Sequence, residues 1–147
     1  MLNAGKILLS SDKNAVPVRV VAAADWPKIK RGLNTSAQNW AAAQGFEASP
    51  LSVLTLFDKE GQIQSVLVGE PRIEDDPFAL GAISSKLPVA RYMFREPLAK
   101  AELVALGWCL ELYKYDPLRP SKIRDVKLVC PKGVDHNAVI ALANASC

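Results

Sequence analysis

The chain has 147 residues, of which 50% are apolar and 22% are charged. This length and composition predict a single globular domain with its own core, and they exclude an intrinsically disordered or disulfide-dependent chain. The net charge of +3 is too small to indicate nucleic-acid binding by itself, and no segment reaches the roughly 20 apolar residues of a membrane span.

The first elements are predicted from β-branched runs and turn residues. Residues 1–15 are polar and irregular, which predicts a loose leader or an edge piece. The β-branched run Pro17–Ala23 predicts the first strand. The basic segment Asp25–Gly32, which contains Trp26-Pro27, predicts a loop.

A helix and a β-hairpin follow. Thr35 and Gln38 match a capping box, and Gly45 supplies a left-handed end, so the sequence predicts a helix over residues 35–44. The apolar runs Leu51–Phe57 and Ile63–Gly69 flank a polar turn that ends in glycine, which predicts an antiparallel hairpin.

The second half alternates helices with strands. An acidic cap and a proline predict a helix from about residue 76 to residue 87. Arg91–Phe94 and Asp125–Cys130 predict strands, and a helix apolar on most sides is predicted between them, over Pro97–Tyr113. Asp135 is an N-cap candidate for a terminal helix.

This order predicts an α/β fold with a mixed sheet covered by helices on both faces. We expect a leader over residues 1–15, an α/β domain over residues 16–134, and the start of a linker helix over residues 135–147. The terminal helix has a start signal and no stop signal, which suggests a connector into a further domain.

Few side chains could carry catalysis. The only histidine, His136, would have to be the base of any Ser-His-Asp or Cys-His mechanism, and its place in a first helical turn favours a structural role. Cys109, Cys130 and Cys147 form no CxxC pair, so the sequence holds no zinc site of ordinary spacing. This cysteine usage indicates a cytoplasmic protein.

Charged clusters and tryptophans are the candidate binding features of the sequence. The acidic cluster consists of Glu70, Glu74, Asp75 and Asp76 and is interpreted as a helix N-terminus rather than a metal or acid-base site. Two basic clusters favour a solvated face over a phosphate-binding surface; they are Lys28, Lys30, Arg31 and Arg119, Lys122, Arg124, Lys127.

The chain contains no glycine-rich phosphate motif. Trp40 and Trp108 lie on apolar helix faces and are predicted to be buried, whereas Trp26 lies among the basic residues and is predicted to be exposed. We assign no catalytic, cofactor-binding or metal-binding residue from the sequence.

Several segments, in order and spacing, resemble the N-terminal domain of the leucyl (cytosol) aminopeptidase family. The resemblance covers nearly all of the chain beyond residue 15. It rests on residues 39–71 (NWAAAQGFEASPLSVLTLFDKEGQIQSVLVGEP), 86–94 (KLPVARYMF), 105–116 (ALGWCLELYKYD) and 127–145 (KLVCPKGVDHNAVIALANA).

The resemblance implies a macro-domain-like three-layer sandwich that is itself non-catalytic. Its parent would release N-terminal amino acids from peptides, using two divalent metals, Zn or Mn, bound by a C-terminal catalytic domain. That catalytic domain is the implied partner, together with further copies in a homo-oligomer, a hexamer in the family. The implied roles of the N-terminal domain are assembly and control of access to the active site.

The sequence also allows a function of a different class, a binding module rather than a domain of a peptidase. A macro-like fold could be a ligand-binding module for a nucleotide or a nucleic acid. The basic clusters favour it, and the lack of a glycine-rich phosphate loop opposes it. No membrane partner is expected.

Overall fold

The computed structural model describes residues 4–11, 14–72, 76–112 and 126–145. The strands are β1 (Leu8–Leu9), β2 (Val16–Val21), β3 (Val53–Phe57), β4 (Ile63–Gly69), β5 (Arg91–Phe94) and β6 (Lys127–Val129). The α-helices are α1 (Trp26–Arg31), α2 (Thr35–Gln44), α3 (Pro77–Gly81), α4 (Ala101–Leu112) and α5 (His136–Ala145). Short 3₁₀ segments occupy Ala4–Lys6, Ala23–Asp25 and Ala82–Lys86.

The six strands form one sheet in the order β1-β6-β5-β2-β4-β3. Neighbouring strands are parallel except for β3, which pairs antiparallel with β4 as the hairpin predicted from the sequence. Val18 of β2 lies opposite Val66 of β4 and Phe94 of β5, so β2 is central. The predicted mixed α/β sheet is confirmed.

Each face of the sheet carries its own core. In β4, Val66 and Val68 point into one cluster and Leu67 into the other, because successive side chains of a strand alternate between faces. One cluster includes residues of α3, α4 and α5, and the other includes Trp26 of α1 and Ala41 of α2. The helices therefore form layers on both sides.

Helix α4 is buried along most of its length, as its composition predicts. Its contact with α3 depends on two glycines, since a Cβ at Gly107 would lie 2.8 Å from the carbonyl oxygen of Phe78 and one at Gly81 would collide with the backbone of Val104. The two backbones thus approach more closely than any side chain would permit.

The helix ends follow local sequence signals, except that the N-cap of α2 lies one residue earlier than predicted. The N-cap of α2 is Asn34, whose Oδ1 accepts from Ala37 N at 2.8 Å, and not the predicted Thr35. Gly45 ends this helix in the left-handed region at φ 67°, as predicted. Asp135 caps α5 as predicted, because its Oδ1 accepts from Ala138 N at 3.1 Å.

The segment over residues 1–15, predicted to be an irregular leader or an edge piece, contains β1, which pairs with β6 at the edge of the sheet and buries Ile7 and Leu8. Two further predictions differ from the structure. The predicted loop over Asp25–Gly32 is largely helical, because proline fits the first turn of α1. Helix α4 begins at Ala101 and not at Pro97, and Lys100 before it has φ 53°.

Candidate interaction surface at the edge of the sheet

The single histidine has a structural contact. His136 Nε2 lies 2.7 Å from the carbonyl oxygen of Leu8, and the residue is half-buried. The imidazole thus ties the start of α5 to β1, in agreement with the structural role expected from the sequence, although the ring is bonded to the protein and not simply solvated.

The described cysteines are placed as packing residues. Cys109 is fully buried in α4. Cys130 Sγ lies 3.7 Å from the carbonyl oxygen of Val134. Burial raises the pKa of this thiol, and the negative charge of Asp135 raises it further by a smaller amount. A raised pKa reduces the thiolate fraction, which is the opposite of what a cysteine nucleophile requires. Cys147 lies outside the described residues.

Two members of the acidic cluster, Glu70 and Asp76, are among the described residues. Asp76 caps α3, because its Oδ1 accepts from Phe78 N at 2.9 Å, as the helix N-terminus interpretation expects. Glu74 and Asp75 lie outside the described residues. Among the residues that the structure does describe, no three His, Cys, Asp or Glu side chains come together in a way that could hold a metal ion.

A crevice of about 410 Å³ lies beside the carboxyl ends of β2 and β4. This is the edge where open α/β sheets commonly bind ligands. Its described charged lining is Glu70, Asp76, Glu96 and Lys100, an excess of negative charge that disfavours a phosphate. Glu96 Oε1 lies 3.6 Å from Arg19 Nε, while Oε2 is buried without a hydrogen-bond partner among the described residues.

The first basic cluster lies on α1 beside a buried tryptophan. Lys28 and Arg31 are exposed, as a solvated face would be. Trp26 is only 6% exposed and packs edge-on against Phe46 with ring centroids 4.9 Å apart, so the prediction that it is exposed is wrong. In the second cluster only Lys127 is described, and Arg119, Lys122 and Arg124 lie outside the described residues.

The other two tryptophans differ in burial. Trp108 is fully buried, as predicted, and its Nε1 donates to the carbonyl oxygen of Val126 at 3.1 Å. Trp40 is 40% exposed, so the prediction that it belongs to the core is wrong. Helical spacing placed Trp40 on an apolar face but could not show that this part of the face lies over the edge strand of the sheet, where the ring is only partly covered.

Trp40 lies over β3, the edge strand. Its Nε1 donates to the carbonyl oxygen of Thr55 at 2.9 Å, and its ring packs edge-on against Phe57 with centroids 6.3 Å apart. Phe57 is itself 46% exposed. The two rings form an exposed apolar surface beside a strand that has a neighbour on one side only.

A groove of about 480 Å³ runs along this edge. Trp40 and Gln44 of α2 form one wall, the segment 86–88 forms the other, and β3 forms the floor. Lys86 is the only charged residue among the described residues of its lining. We call this feature the edge groove; sequence reasoning missed it because its walls come from segments more than 40 positions apart.

Solved structures with a similar fold are aminopeptidase chains. The cytosol aminopeptidase of Coxiella burnetii matches with a TM-score of 0.76 and 22% identity over 95% of this chain and 31% of its own. A tomato leucine aminopeptidase variant matches with a TM-score of 0.54 and 13% identity, over 94% of this chain and 35% of its own. This chain therefore spans about a third of their length, and the likeness defines an α/β domain shared with larger aminopeptidase chains.

The family follows from the sequence itself. The family model described as M17 aminopeptidase, N-terminal domain, matches residues 16–131, and the chain belongs to this family. The bottromycin maturation enzyme BotP in complex with Mn is also similar, with a TM-score of 0.51 and 20% identity over 89% of this chain and 29% of its own. A search of curated proteins finds no match.

Proposed function

We propose that this chain serves as the non-catalytic N-terminal domain of a leucyl aminopeptidase-like metallo-exopeptidase. The parent enzyme would release N-terminal amino acids from peptides, in the cytoplasm and as a homo-oligomer. The observation that carries the proposal is the match of residues 16–131 to the N-terminal domain of the family. None of the described helices is long and apolar enough to cross a membrane.

The domain would contribute through its surfaces. Val89 and Leu142 are apolar and more than half exposed, and they offer contact area for an assembly outside the edge groove. A rigid domain with cores on both sheet faces can also narrow the path of a peptide to an active site on its partner domain. Assembly and access are therefore the roles that we assign to it.

The two divalent metals, Zn or Mn, are assigned to the parent's C-terminal domain. BotP, a similar structure, was solved with Mn. The part of this chain that the structure describes does not fit a metal site, since no three candidate ligands converge there. Bound in the catalytic domain, such metals polarise a carbonyl and activate water, and we assign no step of that chemistry to the residues described here.

An activity assay tests the non-catalytic role. The purified 147-residue chain is incubated with a leucyl anilide substrate in the presence of Zn or Mn, with an intact M17 aminopeptidase as the positive control. We expect hydrolysis by the control alone. Metal-dependent release of leucine that copurifies with this chain would overturn the proposal.

A deletion experiment tests assembly and access. The reading frame is extended beyond codon 147, and the extended protein is compared with a variant that lacks residues 16–131. We expect the deletion to change the number of subunits per particle, obtained by sedimentation, and to alter the ratio of rates on long and short leucyl peptides. An unchanged subunit number together with an unchanged ratio would contradict these roles.

The alternative function is a macro-like module for a nucleotide or a nucleic acid. The crevice at the carboxyl ends of β2 and β4 has a suitable volume, about 410 Å³. Its carboxylates oppose a phosphate ligand, so this function has less support. Titration with ADP-ribose and with duplex DNA at two salt concentrations tests this function. Binding that weakens steeply as salt rises would support phosphate contacts, and absent or salt-independent binding would exclude them.

A further inference from the structure

Strand β3 ends the sheet, so one of its edges has no neighbouring strand. Edge strands expose unpaired N–H and C=O groups, which can pair with an additional strand. In this chain, α2 and the segment 86–88 flank that edge and form the edge groove. The groove therefore places backbone hydrogen-bonding groups at the bottom of a walled channel.

The backbone groups that face the groove can be identified. Gly69 N donates to Ser52 O at 2.9 Å and Asp58 N donates to Gln62 O at 2.8 Å, so the even-numbered residues of this stretch bond towards β4. Alternate residues of an antiparallel strand point their N–H and C=O groups to opposite sides. Val53, Thr55 and Phe57 therefore direct theirs into the groove.

The Trp40 indole provides an independent sign of this orientation. Its Nε1 donates to the carbonyl oxygen of Thr55 at 2.9 Å, from the side away from β4. The oxygen is thus accessible to a donor that arrives from outside the sheet. Trp40 is 40% exposed, so part of its ring can be reached from solvent.

We propose that the edge groove binds an extended peptide segment, which adds to β3 as a further strand and takes the place of the Trp40 indole at the Thr55 carbonyl. The backbone of the peptide supplies the hydrogen bonds, as in other cases of strand addition to a sheet edge. Alternate apolar side chains of the peptide pack against Trp40 and Phe57, which are both partly exposed. This inference concerns binding only, and it holds or fails independently of the proposed role in an aminopeptidase.

The charge of the groove selects among peptides. Lys86 is exposed, and it carries the only charge among the described lining residues. A carboxylate on the peptide therefore has a matching partner, while a basic peptide meets like charge. The preferred occupant is an extended segment with alternating small apolar residues and an acidic end.

The shape of the groove favours a peptide over a second copy of this chain. A second copy that paired through its own β3 would bring a second pair of walls, from its own α2 and its own segment 86–88, against the first pair. A single peptide strand has no such walls.

The test uses a blocked octapeptide of alternating valine and threonine with a glutamate at each end. Binding to the isotope-labelled 147-residue chain is followed by amide chemical shifts. We expect saturable shifts at Val53, Thr55 and Phe57. The matched control is the same peptide with alternate amides N-methylated, which removes donors without changing side chains and should bind at least about ten-fold more weakly.

Three variants of the chain sharpen the result. Thr55→Pro removes an outward amide and should abolish binding, since a proline on an edge is tolerated without loss of the ladder to β4. Trp40→Phe removes the competing donor and should tighten binding by about five-fold. Lys86→Glu should weaken binding by about three-fold.

Each contrary outcome counts against the proposal. It is overturned if no peptide shifts the β3 amides, or if the N-methylated peptide binds equally well. It is also overturned if Trp40→Phe weakens binding. Sedimentation tests whether a second copy of the chain occupies the groove instead of a peptide. A dimer that Thr55→Pro dissociates would assign the edge of β3 to that second copy and would overturn the proposal.

Discussion

His136 Nε2 lies 2.7 Å from the carbonyl oxygen of Leu8, and this contact joins residues 128 positions apart. It links the first strand of the sheet to the first turn of the last described helix. Strand β1 has only two residues and pairs with β6 alone, through bonds that include Leu128 N to Ile7 O at 2.9 Å. The imidazole is therefore one of the contacts that hold β1 in place, beside the ladder to β6 and the burial of Ile7 and Leu8.

Replacement of this histidine should loosen β1. His136→Ala leaves a part-buried carbonyl without its side-chain partner, and we expect a loss of about 1–2 kcal/mol in the free energy of unfolding. Urea denaturation measures the loss, and faster amide exchange at Leu128 and Cys130 locates it. Asn137→Ala at the exposed neighbour is the control and should have little effect; equal losses in the two variants would contradict this role.

Two neighbouring residues, Asn34 and Thr35, are candidates for the N-cap of α2. Asn34 Oδ1 accepts from Ala37 N at 2.8 Å, so Asn34→Ala should cost about 1 kcal/mol of stability. The sequence predicted Thr35 instead, and Thr35→Ala should change stability by only a few tenths of that amount because Thr35 is the first helical residue. Thermal unfolding of the two single variants checks the order, and a larger loss for Thr35→Ala would favour the sequence-based assignment.

Most local elements could be predicted because their signals lie within a few residues. The hairpin follows from two β-rich runs around a polar turn, and Gly45 marks the end of α2 through its positive φ. Asp135 likewise begins α5. In each case one side chain or one turn satisfies the backbone, so no distant contact is needed to specify the element.

The missed features depend on contacts between distant segments. Leu8–Leu9 is too short to show a strand pattern, and it becomes one only where β6 and His136 meet it. Trp26 was predicted in a loop and Trp40 on an apolar helix face, and neither local pattern shows which side chains are covered by distant segments. The edge groove was missed for the same reason, since its walls come from α2 and the segment 86–88.

Gly107 tests the close packing of α3 on α4. A Cβ there would lie 2.8 Å from the carbonyl oxygen of Phe78, so Gly107→Ala should force the helices apart and destabilise the chain by about 1–3 kcal/mol. The gain in helix propensity, about 1 kcal/mol, is too small to reverse the sign. Gly32→Ala is the control, since its Cβ would meet only Ile29 O at 3.4 Å. Urea denaturation compares them, and a stabilised Gly107→Ala would refute the tight contact.

The thiol of Cys130 gives a prediction that depends on pH. Burial first, and Asp135 second, raise the pKa of this thiol above its ordinary value. Alkylation by iodoacetamide requires the thiolate, so Cys130 should react more slowly than glutathione at the same pH below that raised pKa. The measurement uses a Cys147→Ser background, in which the other remaining thiol, Cys109, is fully buried.

Asp135→Asn separates the two causes, because asparagine keeps the cap of α5 and removes the charge. We expect the alkylation profile of Cys130 to move to lower pH while remaining above that of glutathione, since burial persists. The sign for stability follows by linkage: the native state favours the neutral thiol, so this contribution is complete below the ordinary pKa and is lost as pH rises above it, where the unfolded chain ionises first. Mass spectrometry of the labelled chain across pH measures the profile, and an unchanged profile in Asp135→Asn would show that burial alone raises the pKa of this thiol.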